Sequence, residues 1–186
     1  MNARPERGRR VVLVADMVRG FCEEGRNLFI GPTIYEVIPH IRELLQREQA
    51  AGSHIIFICD THDPDDKEFE MFPPHCIRGT DEPEVISELR EFADEIIPKR
   101  RYSAFFGTNL GERLAELKPD KVIITGVCTN ICVLYTVAEA RYHDYNVEVP
   151  AECVATFDPE AHTFALKEMR TVLGANVTGL PASAAQ

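Results

Sequence analysis

Two cysteines stand out as candidates for chemistry, because they lie in a turn between a short apolar run and a helical pattern. The run, residues 121–124, is β-branched and bounded by turn residues, which is typical of a buried strand. Cys128 belongs to the turn, and Cys132 falls in the first turn of the helix that follows. Unpaired N–H groups at a helix start favour an anion and lower a thiol's pKa. The pattern therefore predicts a nucleophilic cysteine.

A first constellation joins Cys132 to Asp16 and Lys99, each of which follows a short apolar run. The carboxylate would accept the thiol proton and the ammonium would stabilise the thiolate. Backbone N–H groups around Cys128 and Cys132 would form an oxyanion hole. The structural alternatives are a turn residue at Asp16, a solvated charge at Lys99 and an inert buried thiol at Cys132.

A second constellation consists of Asp60, His62 and His75, with either Glu68 or Glu70 between the histidines. Two imidazoles and a carboxylate suit zinc, manganese or iron, and the open positions of such a site go to water and substrate. An Asp-x-His pair alone is a weak motif. The structural alternative makes Asp60 and His62 turn formers and His75 a satisfied surface histidine. The segment between the histidines is long for a connection without regular structure, which indicates a function.

The elements that must position these residues alternate along the chain. Apolar runs predict strands at 10–15, 54–59, 95–98, 121–124, 146–149 with a possible resumption at 152–155, and 176–178. Helical patterns begin after a capping box of Thr33 and Glu36, recur weakly over 82–92, and continue at 110–117 and from Asn130; the last begins at Asp158 and Pro159. Such alternation predicts an α/β fold whose parallel sheet is covered on both faces, with ligands at the carboxyl ends of the strands.

Composition limits the classes of protein that the chain can represent. With 186 residues, 45% of them hydrophobic, we expect one domain over 1–186. A net charge of -10 argues against a nucleic-acid partner, and no stretch approaches the roughly 18 apolar residues of a membrane span. Six cysteines without an export signal predict free thiols and a cytoplasmic location.

Four motifs stand in a fixed order along nearly the whole chain. They are Val14-Ala15-Asp16-Met17 with Phe21; Asp60-Thr61-His62 through Phe72-Pro73-Pro74-His75-Cys76 to Gly79-Thr80; Lys99-Arg100-Arg101-Tyr102-Ser103-Ala104-Phe105; and Gly126-Val127-Cys128-Thr129-Asn130-Ile131-Cys132-Val133. Together they resemble the isochorismatase-like cysteine hydrolase superfamily, and within it the nicotinamidase (pyrazinamidase) branch. Any one motif would be weak, but four in the family order with fitting gaps are specific.

The resemblance implies a fold and a catalytic triad. The fold is a three-layer αβα sandwich around a six-stranded, mainly parallel sheet. The triad is Asp16, Lys99 and Cys132, with Cys132 rather than Cys128 as the nucleophile. A cis peptide bond between Val127 and Cys128 is implied as well, and it turns a backbone N–H into the oxyanion hole.

The resemblance also implies a cofactor and a substrate pocket. In nicotinamidases a divalent metal binds the pyridine nitrogen, and we expect zinc, with manganese or iron as alternatives. The residues that match its ligands are Asp60, His62, His75 and, as in some members, Glu68. The residues that match the walls of the ring pocket are Phe21, Phe72 and Tyr102.

The implied reaction is hydrolysis of a primary carboxamide, from nicotinamide to nicotinate and ammonia. Cys132 attacks the carbonyl, Asp16 passes the thiol proton to the leaving ammonia, and water cleaves the thioester. The partner is a small amide, and the family is compatible with a homo-oligomer. The alternatives are an amidase for carbamoyl or ureido substrates without the metal, and a non-catalytic binding domain of the same fold.

The chain departs from the family pattern at three places. Residues 16–21 read Asp-Met-Val-Arg-Gly-Phe where Asp-Met-Gln-x-Asp-Phe is frequent, so the polar residues after the catalytic aspartate are missing. Thr61 stands where an aromatic residue is often found, and the loop from His62 to Glu68 is short. These differences leave the triad untouched and bear on the choice of substrate.

Overall fold

The computed structural model describes residues 9–180. Its strands are β1 (Arg10–Ala15), β2 (His54–Asp60), β3 (Glu95–Lys99), β4 (Lys121–Val127), β5 (Val147–Pro150), β6 (Val154–Ala155) and β7 (Asn176–Thr178). Its helices are the short α1 (Arg19–Cys22), then α2 (Ile34–Ala50), α3 (Leu110–Leu117), α4 (Leu134–Tyr142) and α5 (Pro159–Thr171). Within these residues, no helix combines the length and the apolar character that crossing a membrane requires.

The strands form one sheet in the order β3-β2-β1-β4-β5-β7, and every pair in it is parallel. The two-residue β6 pairs with β4 beyond the end of β5. The chain moves outward from β1 in one direction through β2 and β3, and then in the other through β4, β5 and β7. The carboxyl ends of β1 and β4 therefore flank the point where the strand order reverses, which is where such folds bind ligands.

Both faces of the sheet are buried, as a parallel sheet requires. Along β1, Val12 and Val14 pack on one face with the apolar side of α2, whereas Leu13 packs on the other. The second face is covered by α3, α4 and α5, whose contacts include Leu114 and Met169. The predicted α/β fold and its three layers are confirmed.

The two predicted helix starts had different outcomes. Asp158 caps α5, because its side chain accepts hydrogen bonds from the next free amides and Pro159 occupies the first helical position, as predicted. The capping box of Thr33 and Glu36 is wrong. Thr33 is itself in helical conformation and its side chain makes no capping bond, because the turn already starts with the Ile34 amide bonded to the Gly31 carbonyl at 3.2 Å.

The weak helical pattern over 82–92 is also wrong, since only a 3-10 turn at Arg90–Phe92 forms there. Backbone groups of this segment bond instead to the chain that follows β1. The amide of Gly20 donates to the Glu82 carbonyl at 2.9 Å, and the amide of Ile86 donates to the Met17 carbonyl at 3.1 Å. These long-range bonds outcompete a helix of low amphipathicity.

The run at 152–155 does not continue the fifth strand. The chain leaves β5 at Pro150, makes a 3-10 turn at Ala151–Cys153, and re-enters the sheet as β6, where Val154 pairs with Gly126 of β4. The sheet therefore has seven strands, and β6 supports the carboxyl end of β4.

Candidate active site

The carboxyl ends of three neighbouring strands, β1, β2 and β3, place charged residues close together. Asp16 directly follows β1 in a left-handed backbone conformation (φ 54°). The amide of Asp60, which ends β2, donates to Asp16 Oδ1 at 2.8 Å. Lys99 ends β3 and pairs in register with Asp60. The register of the parallel sheet thus places two carboxylates and one ammonium side by side.

The Lys99 ammonium lies at the centre of this group. Its Nζ is 2.9 Å from Asp16 Oδ2 and 3.1 Å from Asp60 Oδ1, and it donates to Cys132 Sγ at 3.4 Å. Asp16 is 0% exposed and Lys99 is 3% exposed. The alternative of a solvated charge at Lys99 is therefore wrong. Asp16 does occupy a strand end, but its buried carboxylate is paired with Lys99, so the predicted base, cation and thiol stand together.

Burial and charge set the protonation of this group. Burial raises the pKa of Asp16 above its ordinary value, the Lys99 ammonium opposes that rise, and the neighbouring Asp60 carboxylate adds to it. Burial by itself would lower the pKa of Lys99, but Asp16 and Asp60 together hold it well above its ordinary value. Lys99 is therefore a permanent cation, and Asp16 is the group with unusual affinity for a proton.

The Cys132 thiol differs from the expectation of a lowered pKa. Burial raises the pKa of Cys132 well above its ordinary value and the Asp16 carboxylate raises it further, although Lys99 opposes both. The helix-start argument fails because exclusion of water penalises a thiolate more than nearby N–H groups favour it. Cys132 also lies in a π-helical turn, Thr129–Val133, ahead of α4 rather than in the first α-helical turn. The resting thiol is protonated and needs a base.

The backbone of this turn has the features that the resemblance implied. The Val127–Cys128 peptide bond is cis. The amides of Ile131 and Val133 both donate to the Cys128 carbonyl, at 3.0 and 3.1 Å. These bonds wind the chain tightly around the nucleophile.

Four polar side chains brace the same turn, and the sequence argument did not identify them. Thr156 Oγ1, just after β6, donates to Asn130 Oδ1 at 2.6 Å. Thr129 Oγ1 lies 2.9 Å from Nδ1 of His162 on α5. Burial lowers the pKa of His162, which favours its neutral form. No local pattern in the sequence marks these pairs, because their partners lie more than twenty residues apart.

A second group of buried side chains lies directly beside Asp16, Lys99 and Cys132. It consists of Asp60, His62, Glu68 and His75. The ligand atoms of these four residues all lie within 4.8 Å of one another. His62 Nε2 is 2.9 Å and His75 Nε2 is 3.2 Å from Asp60 Oδ2. Glu70, the alternative to Glu68, is exposed and outside the group. His75 is 2% exposed, so a surface role for it is wrong.

The hydrogen bonds around these histidines fit a divalent metal. His75 Nδ1 must donate to the Pro73 carbonyl at 2.8 Å, so a neutral His75 turns the lone pair of Nε2 toward Asp60. His62 Nε2 is bonded to Asp60 Oδ2 at 2.9 Å, whereas its Nδ1 lies 3.1 Å from an oxygen of Asp66 outside hydrogen-bond geometry. The Nε2 lone pair of a neutral His75 then faces an Asp60 oxygen with no proton between them, and His62 Nδ1 is a buried nitrogen without a hydrogen-bond partner among the described residues. A cation among them resolves this contact between acceptors.

Both groups open into one pocket, which encloses about 360 Å³ including its mouth. Its apolar and aromatic wall consists of Phe21, Leu28, Phe72, Tyr102, Val127, Ile131 and Phe157. Its polar floor consists of Asp16, Asp60, Glu68, His75, Cys128 and Cys132. The three predicted wall residues are all present. Leu28, Val127, Ile131 and Phe157 were missed as wall residues, although the position of Ile131 beside Cys132 was a usable signal.

The match to a family model decides the relationship of the chain to known proteins. Residues 10–181 match the model described as the isochorismatase domain. The chain belongs to the isochorismatase family. The resemblance based on the four motifs is thereby confirmed, and the family's α/β fold agrees with the sheet and the layers described above.

Solved structures of isochorismatase-family hydrolases superpose closely on this chain. The pyrazinamidase/nicotinamidase of Streptococcus mutans UA159 is 34% identical with a TM-score of 0.86, covering 90% of this chain and 99% of that one. The pyrazinamidase of Pyrococcus horikoshii in complex with zinc is 29% identical with a TM-score of 0.84, covering 92% and 99%. The N-carbamoylsarcosine amidase of Thermoplasma acidophilum is 31% identical with a TM-score of 0.81, covering 91% and 95%.

Among curated proteins, a probable inactive nicotinamidase of Arabidopsis thaliana is 32% identical over 175 residues, covering 87% of this chain and 88% of that protein. Membership of a family that includes nicotinamidases and a carbamoyl amidase supports the conclusion that this chain is an amidohydrolase for a small molecule. Because that relative is described as a probable inactive enzyme, the residues of this chain must be judged on their own geometry. Here the thiol, the carboxylate and the ammonium are in contact.

Proposed function

We propose that this isochorismatase-family chain is a metal-dependent nicotinamidase, which hydrolyses nicotinamide to nicotinate and ammonia. One observation carries the proposal: the buried Asp60, His62, Glu68 and His75 group and the Cys132 thiol open into the same aromatic-walled pocket. A flat ring with a lone pair on one side and a carboxamide on the other would span both groups.

The chain's own residues would carry the bond-making steps. Asp16 takes the proton of the Cys132 thiol, and the sulfur attacks the carboxamide carbon. The amides of Cys128 and Cys132 stabilise the oxyanion, and Asp16 gives the proton to the departing ammonia. Water then cleaves the thioester, which releases the acid and restores the thiol. Lys99 holds Asp16 in place and balances its charge while the proton moves.

The residues that would hold the metal are Asp60, His62, Glu68 and His75. When bound there, a divalent ion would supply a Lewis acid that anchors a ring nitrogen. Zinc is our first choice because two imidazoles and carboxylates suit it, and manganese or iron would also be accepted by this ligand set. The zinc in the Pyrococcus horikoshii relative supports that choice.

An amidase for carbamoyl or ureido compounds is the second candidate, favoured by the likeness to the N-carbamoylsarcosine amidase. That substrate carries a carboxylate, which calls for a cation in the pocket. Among the lining residues in the described part of the chain, three are acidic and none is lysine or arginine. The pocket would repel such a carboxylate, which favours a neutral amide such as nicotinamide. A non-catalytic binding domain is disfavoured by the assembled triad.

A substrate comparison tests the proposal. Purified protein should release ammonia from nicotinamide and pyrazinamide, lose that activity on treatment with a chelator, and regain it on addition of zinc. N-carbamoylsarcosine should be turned over much more slowly. Turnover of N-carbamoylsarcosine in preference to nicotinamide, without effect of the chelator, would establish the second candidate instead.

We also infer a cytoplasmic location and a role in pyridine nucleotide salvage. The six cysteines support a reducing compartment, because all are free and buried. A homo-oligomer stays a prediction from the family, and light scattering of the purified protein would measure its state.

A further inference from the structure

We propose that Glu82 is a positioning residue of the metal site, which holds the loop of His75 in place through the backbone amide of Cys76. This inference rests on the proposed function, since it assumes that the site takes a metal. Glu82 would not touch the ion, because it does not belong to the group of four candidate ligands. Its effect would pass through the peptide group next to His75.

The loop that carries His75, residues 71–80, consists of turns and one isolated bridge, without a helix or strand. His75 Nδ1 donates to the Pro73 carbonyl at 2.8 Å, so the imidazole is fixed to its own loop. The loop therefore needs bonds to other segments to keep the imidazole in the site. At the surface, Asn27 Nδ2 donates to the Pro74 carbonyl at 2.6 Å.

The backbone of Cys76 makes the other bonds of this loop to neighbouring segments. Its left-handed conformation (φ 45°) is unfavourable for a residue with a side chain, and it persists where the surroundings fix it. The Cys76 carbonyl accepts from the His62 amide at 2.9 Å, which joins the segments of the two histidines. The Cys76 amide donates to Glu82 Oε2 at 2.7 Å. Because a carboxylate is a stronger acceptor than a neutral group, we expect this bond to contribute most to holding the loop.

Glu82 is itself anchored to the chain that follows β1. Its carbonyl accepts from the Gly20 amide at 2.9 Å. A Cβ at Gly20 would lie 2.7 Å from Cys76 Sγ and 3.3 Å from the Glu82 Cβ, so the three residues are packed together. Next to Glu82, Asp81 accepts from two nitrogens of Arg26, at 3.0 and 2.8 Å. Glu82 therefore connects the loop to α1, and a shift of its carboxylate would reach the metal site.

Three substitutions at one position separate the place of the acceptor from its charge. Glu82→Ala removes the acceptor of the Cys76 amide. Glu82→Gln keeps an oxygen at the same distance along the side chain but loses the charge, whereas Glu82→Asp keeps the charge on a side chain that is one methylene shorter. Glu84→Ala is the matched control, because it removes a carboxylate of the same segment whose side chain is 60% exposed, against 18% for Glu82.

The measurement is the zinc affinity of the metal-free proteins, by competition with a chromogenic chelator. We expect Glu82→Ala to bind zinc roughly 10- to 100-fold more weakly than the unchanged protein and Glu82→Asp to be weakened by a smaller factor. Glu82→Gln should retain most of the affinity, and Glu84→Ala should retain all of it. In the cobalt-loaded proteins, the visible absorption bands should change in Glu82→Ala and stay the same in Glu84→Ala, since they report the ligands of the ion.

Urea denaturation of the metal-free proteins distinguishes positioning from a purely structural role. Lower stability of Glu82→Ala with unchanged zinc affinity and an unchanged cobalt spectrum would overturn the proposal. A loss of affinity in Glu82→Gln as large as in Glu82→Asp would also overturn it, because the charge and not the held loop would then set the affinity. This second comparison decides the matter even if Glu82→Ala does not fold. Failure of the unchanged protein to bind zinc would overturn the metal-dependent function, and this inference with it.

Discussion

At the scale of single residues, the structure distinguishes two cysteines four positions apart. Cys132 Sγ accepts from the Lys99 ammonium at 3.4 Å, and the same ammonium lies 2.9 Å from Oδ2 of Asp16, the proposed base. Cys128 contributes its backbone, and its thiol lies beside the Thr156 hydroxyl. The thiol of Cys128 is therefore dispensable for the proposed chemistry, whereas that of Cys132 is not.

We expect Cys132→Ala to lower kcat for ammonia release from nicotinamide by more than about 10³-fold, since the nucleophile is removed. Cys128→Ala should keep most of the activity, because alanine retains the N–H group of the oxyanion hole. Cys59→Ala, at a buried thiol of the core, controls for general effects of losing a thiol. Equal losses in Cys128→Ala and Cys132→Ala would contradict the assignment of the nucleophile.

The pH dependence of kcat/KM should report the raised pKa of Asp16. Protonated Asp16 cannot accept the thiol proton, so activity should fall as the pH decreases through this pKa. Because burial raises the pKa of Asp16, the acid limb should lie above the ordinary range of an aspartate. The pKa of Cys132 is raised as well, so the free enzyme should show no thiolate absorbance at neutral pH. A strong thiolate signal there would contradict this protonation scheme.

At the scale of elements, the absence of a side chain at Gly126 lets β4 approach β1 closely, just before the turn that carries Cys132. A Cβ at this position would lie 2.0 Å from the Ala15 carbonyl oxygen, in a backbone with φ 109°. We expect Gly126→Ala to lower the free energy of unfolding by at least about 3 kcal/mol, as measured by urea denaturation.

Gly107→Ala is the matched control for that substitution. Gly107 also has a left-handed backbone (φ 67°), but no atom lies within 4 Å of the added Cβ. Gly107→Ala should therefore lower the free energy of unfolding by only about 1–2 kcal/mol, which is the cost of a left-handed backbone at an alanine. Similar losses in the two variants would show that conformation, and not the contact with β1, makes Gly126 necessary.

At the scale of the whole molecule, one sheet is shared by both apolar cores. Val12 and Leu13 are neighbours in β1 yet belong to opposite cores, so neither core can form without the sheet. We expect the chain to unfold as a single domain, with coincident urea transitions in far-UV circular dichroism and in tyrosine fluorescence. Two separated transitions would contradict the single-domain prediction for 1–186. The absence of tryptophan makes the tyrosine signal readable.

Several features could be predicted from the sequence because their physical cause is local. The apolar runs of β1, β2 and β4 cannot be exposed, so they predict a buried parallel sheet and hence a rim where Asp16, Asp60 and Lys99 meet. Asp158 followed by Pro159 predicts a helix start from short-range hydrogen bonding alone. The residue types at Asp60, His62 and His75 indicated a metal site only weakly, and the residues by themselves left the choice between Glu68 and Glu70 open. The resemblance to the family implied the candidate ligand set, which folding brings together.

Other features depend on groups that are distant in the chain, and only the tertiary structure decided them. The pKa of Cys132 is raised by its burial and by the Asp16 carboxylate, and its place in a turn does not decide it. Residues 82–92 do not form the predicted helix, because their backbone groups make hydrogen bonds to the segment that contains Met17. The sequence alone thus determined the sheet and the reactive residues at its rim, since these follow from local patterns. Their protonation, their bracing and their orientation arise from contacts that exist only after the chain has folded.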